Sequence, residues 1–198
     1  MIAVSELRDP ELSGVVLCGG RSLRMGRDKA RLELAGRSLL ERAIDALDPI
    51  CTRVFLATGS EARYEELGRE VVLDGDSDAG PLAGLVAALE VCPTEWLAVV
   101  GCDMPGARPE LFGELLAVAR DGGYDLVVAE SGAGTEPLLA IYHRRCAVAA
   151  RRTLDAGRRR LVDFHEGLKV GRHELADEGW SCNVNTPEDL EREREREI

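Results

Sequence analysis

The stretch W-L-A-V-V-G-C-D-M-P, residues 96 to 105, runs through apolar positions without polar alternation and ends in an acid. A strand of that kind needs cover on both faces, as in the sheet of an α/β layer protein. Similar short runs bounded by turn residues predict further strands over 14–18, 53–57, 70–73, 124–129 and 137–142, with a weaker one near 168–175. Longer helical patterns alternate with them. Ser38-Leu39-Leu40-Glu41 has the form of a capping box, after which Leu39, Leu40, Ala43, Ile44 and Leu47 recur at helical spacing. Helices are also expected over 82–91, over 109–120 from Pro109, and over 144–156 up to Gly157. A last one starts at Thr186-Pro187-Glu188-Asp189, a hydroxyl cap followed by a helix-first proline and two acids. The alternation predicts parallel strands joined by crossover helices in one α/β domain over 1–198. Residues 1–12 are expected to be a flexible N-terminus, and 191–198 a charged helical tail, solvated and frayed.

Composition narrows the class of partner. The formal net charge of −11 argues against broad binding to nucleic acid or to an anionic membrane surface. The basic residues cluster at 21–31 and at 144–160, where seven arginines meet only Asp155, so a small anionic ligand fits better than a polymer. The first fourteen residues carry Glu6, Asp9 and Glu11 and lack an extended apolar core, and no run is long enough to span a bilayer. Six cysteines are scattered without a C-x-x-C pair, which gives no support to a zinc site or a disulfide framework. A cytoplasmic protein is the resulting expectation.

The chemistry concentrates in V-V-L-C-G-G-R-S-L-R-M-G-R-D-K, residues 15 to 29. Gly19 and Gly20 let backbone amides approach an anion without a Cβ in the way. Arg21, Arg24, Arg27, Lys29 and Arg31 supply positive charge against Asp28 alone. This is the composition of a loop for a nucleoside triphosphate. It is not a Walker loop, because five residues separate Gly20 from Gly26 and no hydroxyl residue follows Lys29. Nor do Gly19, Gly20 and Gly26 have the G-x-G-x-x-G spacing of a dinucleotide fingerprint.

The loop resembles the signature L-x-G-G-x-x-x-R-M-G-x-D-K of the molybdenum cofactor guanylyltransferases, within the nucleotidyltransferase superfamily. Leu17, Gly19, Gly20, Arg24, Met25, Gly26, Asp28 and Lys29 all match. The resemblance implies a three-layer, Rossmann-like nucleotidyltransferase fold with a mostly parallel central sheet. It also implies GMP transfer from GTP to the terminal phosphate of molybdenum-bound molybdopterin, with release of pyrophosphate. Transfer of another base, or to another acceptor such as a sugar phosphate, remains the alternative. Transient contacts with cofactor-delivery and acceptor proteins would accompany the guanylyl activity.

Further motifs follow in the family's order. Asp103, in C-D-x-P just past the strand at 96–101, is the candidate Mg²⁺ ligand, since Mg²⁺ takes one or two carboxylates plus substrate phosphates. Catalysis is assigned to Arg24, Lys29 and Asp103. Nucleotide binding is assigned to Leu17, Cys18, Gly19, Gly20, Lys29, Asp74, Gly80, Pro81, Leu82, Gly84 and Asp103, with Asp76 and Asp78 as substitutes for Asp74. Asn183 and Asn185, in N-V-N-T-P-E-D-L, match the family's N-x-N-T-P-E where cytidylyl relatives look like D-x-D-T-P-E. Together with Arg158 and Arg159 they form the candidate pterin contacts; a turn and a solvated basic helix end are the bland readings. Glu136 to His143 reads as a buried strand without an assigned role, and Leu56 to Ser60 lacks an asparagine found in relatives, so no site is placed there. His143, His165 and His173 have no triad partner in view.

Overall fold

A computed structural model describes residues 8–19, 28–75, 80–176 and 178–196. In chain order its elements are β1 (Leu12–Leu17), β2 (Glu33–Leu34), β3 (Arg37–Ser38), α1 (Leu39–Leu47), β4 (Val54–Ala57), β5 (Glu70–Val72) and α2 (Gly80–Val91). Then come β6 (Trp96–Gly101), α3 (Pro109–Gly122), β7 (Leu126–Ser131), β8 (Gly134–His143), α4 (Ala147–Asp155), β9 (Val170–Glu174) and α5 (Pro187–Arg196). Seven strands form one sheet in the order β5-β4-β1-β6-β8-β7-β9. Within it β8 runs antiparallel to β6 and β7, and the other pairings are parallel.

The strand alternation serves two apolar layers at once. In β6, Trp96, Ala98 and Val100 pack with Ile44 and Leu47 of α1 and Leu111, Phe112 and Leu115 of α3. Leu97 and Val99 pack on the other face with Leu82, Leu85 and Val86 of α2 and Ala150 of α4. That two-sided burial is why the run at 96–101 carries no polar residue. The chain leaves β1 through α1 to reach β4 on one side, then returns from β5 through α2 to β6 on the other. The order therefore reverses at β1, and a crevice is expected at its carboxyl end.

Local signals set the boundaries. Ser38 accepts the Glu41 amide while the Glu41 carboxylate accepts the Ser38 amide, which closes the capping box of α1. The sequence reading missed β2 and β3, a hairpin whose two-residue turn places Ala35 and Gly36 at φ 49° and 77°. Both central residues at positive φ fit a type I′ turn, but Ala-Gly is a weak signal for it. The helix expected from 144 opens as a 3-10 turn over Arg144–Cys146. Of the segment 1–12, residues 8–12 are described and tied down: Asp9 and Glu11 pair with Arg120 of α3, and Leu12 opens β1. The charged tail is helical through Arg196, with Leu190 buried and Arg194 donating to the Glu33 carbonyl. None of the six cysteines, all of them among the described residues, forms a disulfide.

Candidate active site

Just past β1, Gly19 crosses the backbone of Thr58 and Gly59. A Cβ on Gly19 would lie 2.6 Å from the Gly59 nitrogen and 3.0 Å from its Cα, so the crossing admits only glycine. Gly59 itself sits at φ 84°, and its carbonyl accepts the Asp74 amide at 3.1 Å. Residues 58 and 59, where sequence reading placed no site, thus join Gly19 to Asp74 through backbone. Cys18, next to the crossing, is buried. Its thiol donates to the Ala57 carbonyl at 3.4 Å, and burial pushes the thiol pKa up to about 12, the state of a packed side chain rather than a nucleophile.

The opposite wall starts at Asp28, which caps a 3-10 turn over Lys29–Arg31 by accepting the Ala30 amide at 3.2 Å. From this turn Lys29 Nζ donates to Asp103 Oδ2 at 2.8 Å and to Asn185 Oδ1 at 2.9 Å. These partners lie 74 and 156 positions away in the chain. The Lys29 and Asp103 side chains remain 14% and 22% exposed, sheltered yet reachable by a ligand.

Asp103 occupies the turn after β6. A Cβ at Gly101 would stand 2.6 Å from Asp103 Oδ1, so glycine at the strand end lets the carboxylate fold back over it. The Asp103 carbonyl accepts the Val184 amide at 2.8 Å, which fixes the N-V-N segment to the metal candidate. Val184 is buried with Leu34, Leu39 and Leu190, while Asn183 is half-buried and Asn185 exposed. Asp189 accepts the Asn185 and Thr186 amides at 2.9 and 2.8 Å, and Thr186 Oγ1 accepts the Asp189 amide. The bond from the Asn185 backbone is the largest cause holding the Asp189 carboxyl below its ordinary range.

Two site features were not foreseen. Gly106 lies against the Gly179 carbonyl and Trp180 in a contact with no room for a Cβ, clamping the C-terminal segment onto the Asp103 turn. The second is Glu136. The ladder of β6 and β8 reaches Val100 opposite Leu139, so the start of β8 continues alongside the Asp103 turn. There β8 is bulged: Val128 pairs with Ala140 but Ala129 with Glu136, and Pro137, lacking an N–H, falls inside the bulge. Burial, then the charge of Asp103, raises the half-buried Glu136 carboxyl above its ordinary range. An acid before proline at the head of a buried strand was the available signal.

The remaining assignments separate. Gly80 opens α2 at φ 70°, and a Cβ there would meet the Arg159 carbonyl at 3.1 Å. Gly84 packs on the sheet, its would-be Cβ 3.3 Å from Leu17 and 3.4 Å from Ala57, so this glycine brings α2 down onto β1 and β4. Leu82 is buried in the same layer, whereas Gly80 and Pro81 are exposed. Arg159 donates to the Leu154 carbonyl at the end of α4, and Arg158 approaches Glu166 at 4.0 Å. Of the two, Arg159 adjoins the start of α2. The basic stretch 144–160 does not act as one patch, because Arg145 pairs with Asp125 and Arg151 with Glu90. Gly20, Arg24, Asp76 and Asp78 lie outside the described residues.

Among the described residues no group of three His, Cys, Asp or Glu could hold a metal ion. A carboxylate beside a second, with one amide oxygen near, fits a cation that keeps its waters and completes its shell on phosphate; Mg²⁺ is of that kind.

A family model described as the MobA-like NTP transferase domain matches residues 14–170. The chain is 36% identical over 191 residues to a probable molybdenum cofactor guanylyltransferase of Pelotomaculum thermopropionicum, covering 93% of this chain and 92% of the relative. It is 34% identical to the molybdenum cofactor guanylyltransferase of Shewanella frigidimarina, covering 90% and 93%. Among solved structures, molybdopterin-guanine dinucleotide biosynthesis protein A of Archaeoglobus fulgidus matches with a TM-score of 0.80 and 28% identity, over 93% of this chain and 97% of that one.

Proposed function

The chain belongs to the MobA-like NTP transferase family, and we propose that it transfers GMP from GTP to the terminal phosphate of molybdenum-bound molybdopterin, forming the guanine dinucleotide cofactor and releasing pyrophosphate. The observation that carries this reading is the convergence of Lys29, Asp103 and Asn185 at the carboxyl edge of β1 and β6. Three distant motifs meet there on one ammonium group.

In this reading the pterin phosphate attacks the α-phosphorus in line, so no covalent enzyme intermediate forms. Lys29 neutralises charge on the leaving pyrophosphate, and the backbone amides at Gly19, whose position the close crossing with Gly59 fixes, are assigned to the phosphates. Asp103, with Glu136 beside it, would hold Mg²⁺, which when bound neutralises phosphate charge in the transition state. Asp74 and the first turn of α2 at Gly80 and Pro81 border the nucleotide. Asn183 and Asn185 carry amides where cytidylyl relatives carry carboxylates, which favours the guanylyl reaction. Arg24 is assigned to the triphosphate from its motif.

No described helix is long and apolar enough to cross a membrane. A cytoplasmic site of action, with GTP and the pterin as small-molecule partners, is part of the proposal. The test is incubation of purified protein with Mg²⁺, molybdenum-loaded pterin and either GTP or CTP, following pyrophosphate and dinucleotide together. Product with GTP and not CTP supports the reading. Product with CTP, or pyrophosphate release only with a sugar-phosphate acceptor, overturns it.

A further inference from the structure

Tyr64 adopts φ 65°, in the left-handed region that a bulky residue rarely enters, and is 3% exposed. The guanidinium carbons of Arg31 and Arg63 each lie 5.3 Å from its ring centroid. Packing alone would be met by phenylalanine. The hydroxyl, however, lies 2.8 and 2.9 Å from the two carboxylate oxygens of Asp28, the residue that caps the Lys29 turn. Asp28 is thereby held from two sides, by the phenol and by the Ala30 amide. The neighbouring Arg63 donates through Nη2 to the carbonyls of Cys18 and Thr58, each at 3.1 Å. One dipeptide therefore grips both Cys18, beside Gly19, and Asp28, beside Lys29.

We propose that Tyr64 is a positioning residue for the transfer reaction, its hydroxyl orienting Asp28 so that the Lys29 turn aims the ammonium at Asp103 and the phosphates, with Arg63 fixing the other side of the entrance. The inference rests on the catalytic assignment of Lys29. Burial and the bond to Asp28 raise the Tyr64 pKa, so the hydroxyl remains a donor across the working pH range. The geometry explains why a tyrosine holds a backbone conformation suited to glycine: the strained turn points the phenol at the carboxylate.

The test compares wild type, Y64F, D28A, K29A and the K29A/Y64F double variant, measuring kcat and KM for GTP and the thermal midpoint. Y64F keeps the ring stack and removes only the donor. It is expected to lower kcat about 10- to 100-fold, the scale of a displaced catalytic group, with KM moving less. D28A removes the acceptor altogether at an exposed position and should reproduce the loss even if Y64F folds poorly. In the K29A background the Tyr64 substitution should add nothing. Wild-type kcat in both Y64F and D28A would overturn the proposal, as would a Y64F loss that multiplies with that of K29A. Full turnover in K29A itself would remove the Lys29 assignment, and this proposal with it, through a separate measurement.

Discussion

Gly19→Ala tests the crossing on which the site is built. An alanine Cβ would stand 2.6 Å from the Gly59 nitrogen, with the Gly59 Cα and the Thr58 carbonyl carbon each at 3.0 Å. An ordinary van der Waals separation is about 3.5 Å, so the two backbones must part by about 0.9 Å. Neither side is a side chain that can rotate away. Overpacking of this kind costs about 1–3 kcal/mol, and the Asp74 amide bond to the Gly59 carbonyl, worth about 1 kcal/mol, is the nearest to be strained. A total of about 2–4 kcal/mol corresponds, in a chain of this size, to a fall in Tm of about 4–16 °C. Parting Cys18 from Thr58 also loosens the bonds Arg63 makes to both carbonyls. Turnover should therefore fall about 100-fold even below the unfolding transition, as expected for groups moved by about 1 Å. Thermal denaturation and pyrophosphate release at 25 °C, read on the same preparation, decide it. A variant with wild-type Tm and wild-type turnover would refute the close crossing, and one that loses only stability would separate the crossing from the reaction.

The other expectations are simpler to state. Lys29→Ala and Asp103→Ala should each lower turnover at least about 100-fold while near-native circular dichroism persists, because the first removes the cation that neutralises the leaving pyrophosphate and the second the carboxylate that would hold Mg²⁺ beside it; near-normal turnover in either folded variant would sink its assignment. Gly113, inside α3, has nothing within 4 Å of a built Cβ, so Gly113→Ala should raise stability by about 0.5–1 kcal/mol, and a lowered Tm would contradict that open space. Ser38→Ala breaks the capping box of α1 and should cost about 1 kcal/mol, visible in chemical denaturation without loss of activity at 25 °C. His165 has its pKa lowered to about 4 by burial, and its Nε2 is buried without a partner among the described residues. The unfolded chain binds that proton first, so the contribution is fully present above pH ~6.5 and lost as pH falls through about 4. His165→Gln should therefore lose less stability than wild type between pH 7 and 4, and identical acid limbs would refute the shift.

What could be read in advance was whatever is local. The capping box at Ser38, the uninterrupted run at 96–101 and the proline at the start of α5 each state their structure within a few residues. The candidate residues that the fold brings together, Lys29, Asp103 and Asn185, were legible where residue type and motif coincide. Gly106, Glu136 and Tyr64 were not, and for one physical reason: each acts on a partner that only the fold supplies. Gly106 matters through the Gly179 carbonyl, Glu136 through a bulge opposite Asp103, and Tyr64 through a carboxylate 36 positions away. Gly84 shows the same distinction. Its motif assigned it to nucleotide binding, and within the fold the space it leaves is filled by Leu17 and Ala57, so it lets α2 approach the sheet. A helix lowered in this way carries its own first turn, at Gly80 and Pro81, toward the strand ends where Gly19 and Asp74 meet. Motif glycines thus divide into those that open room for a ligand and those that bring two elements of the protein together, and Gly19 and Gly84 both belong to the second group.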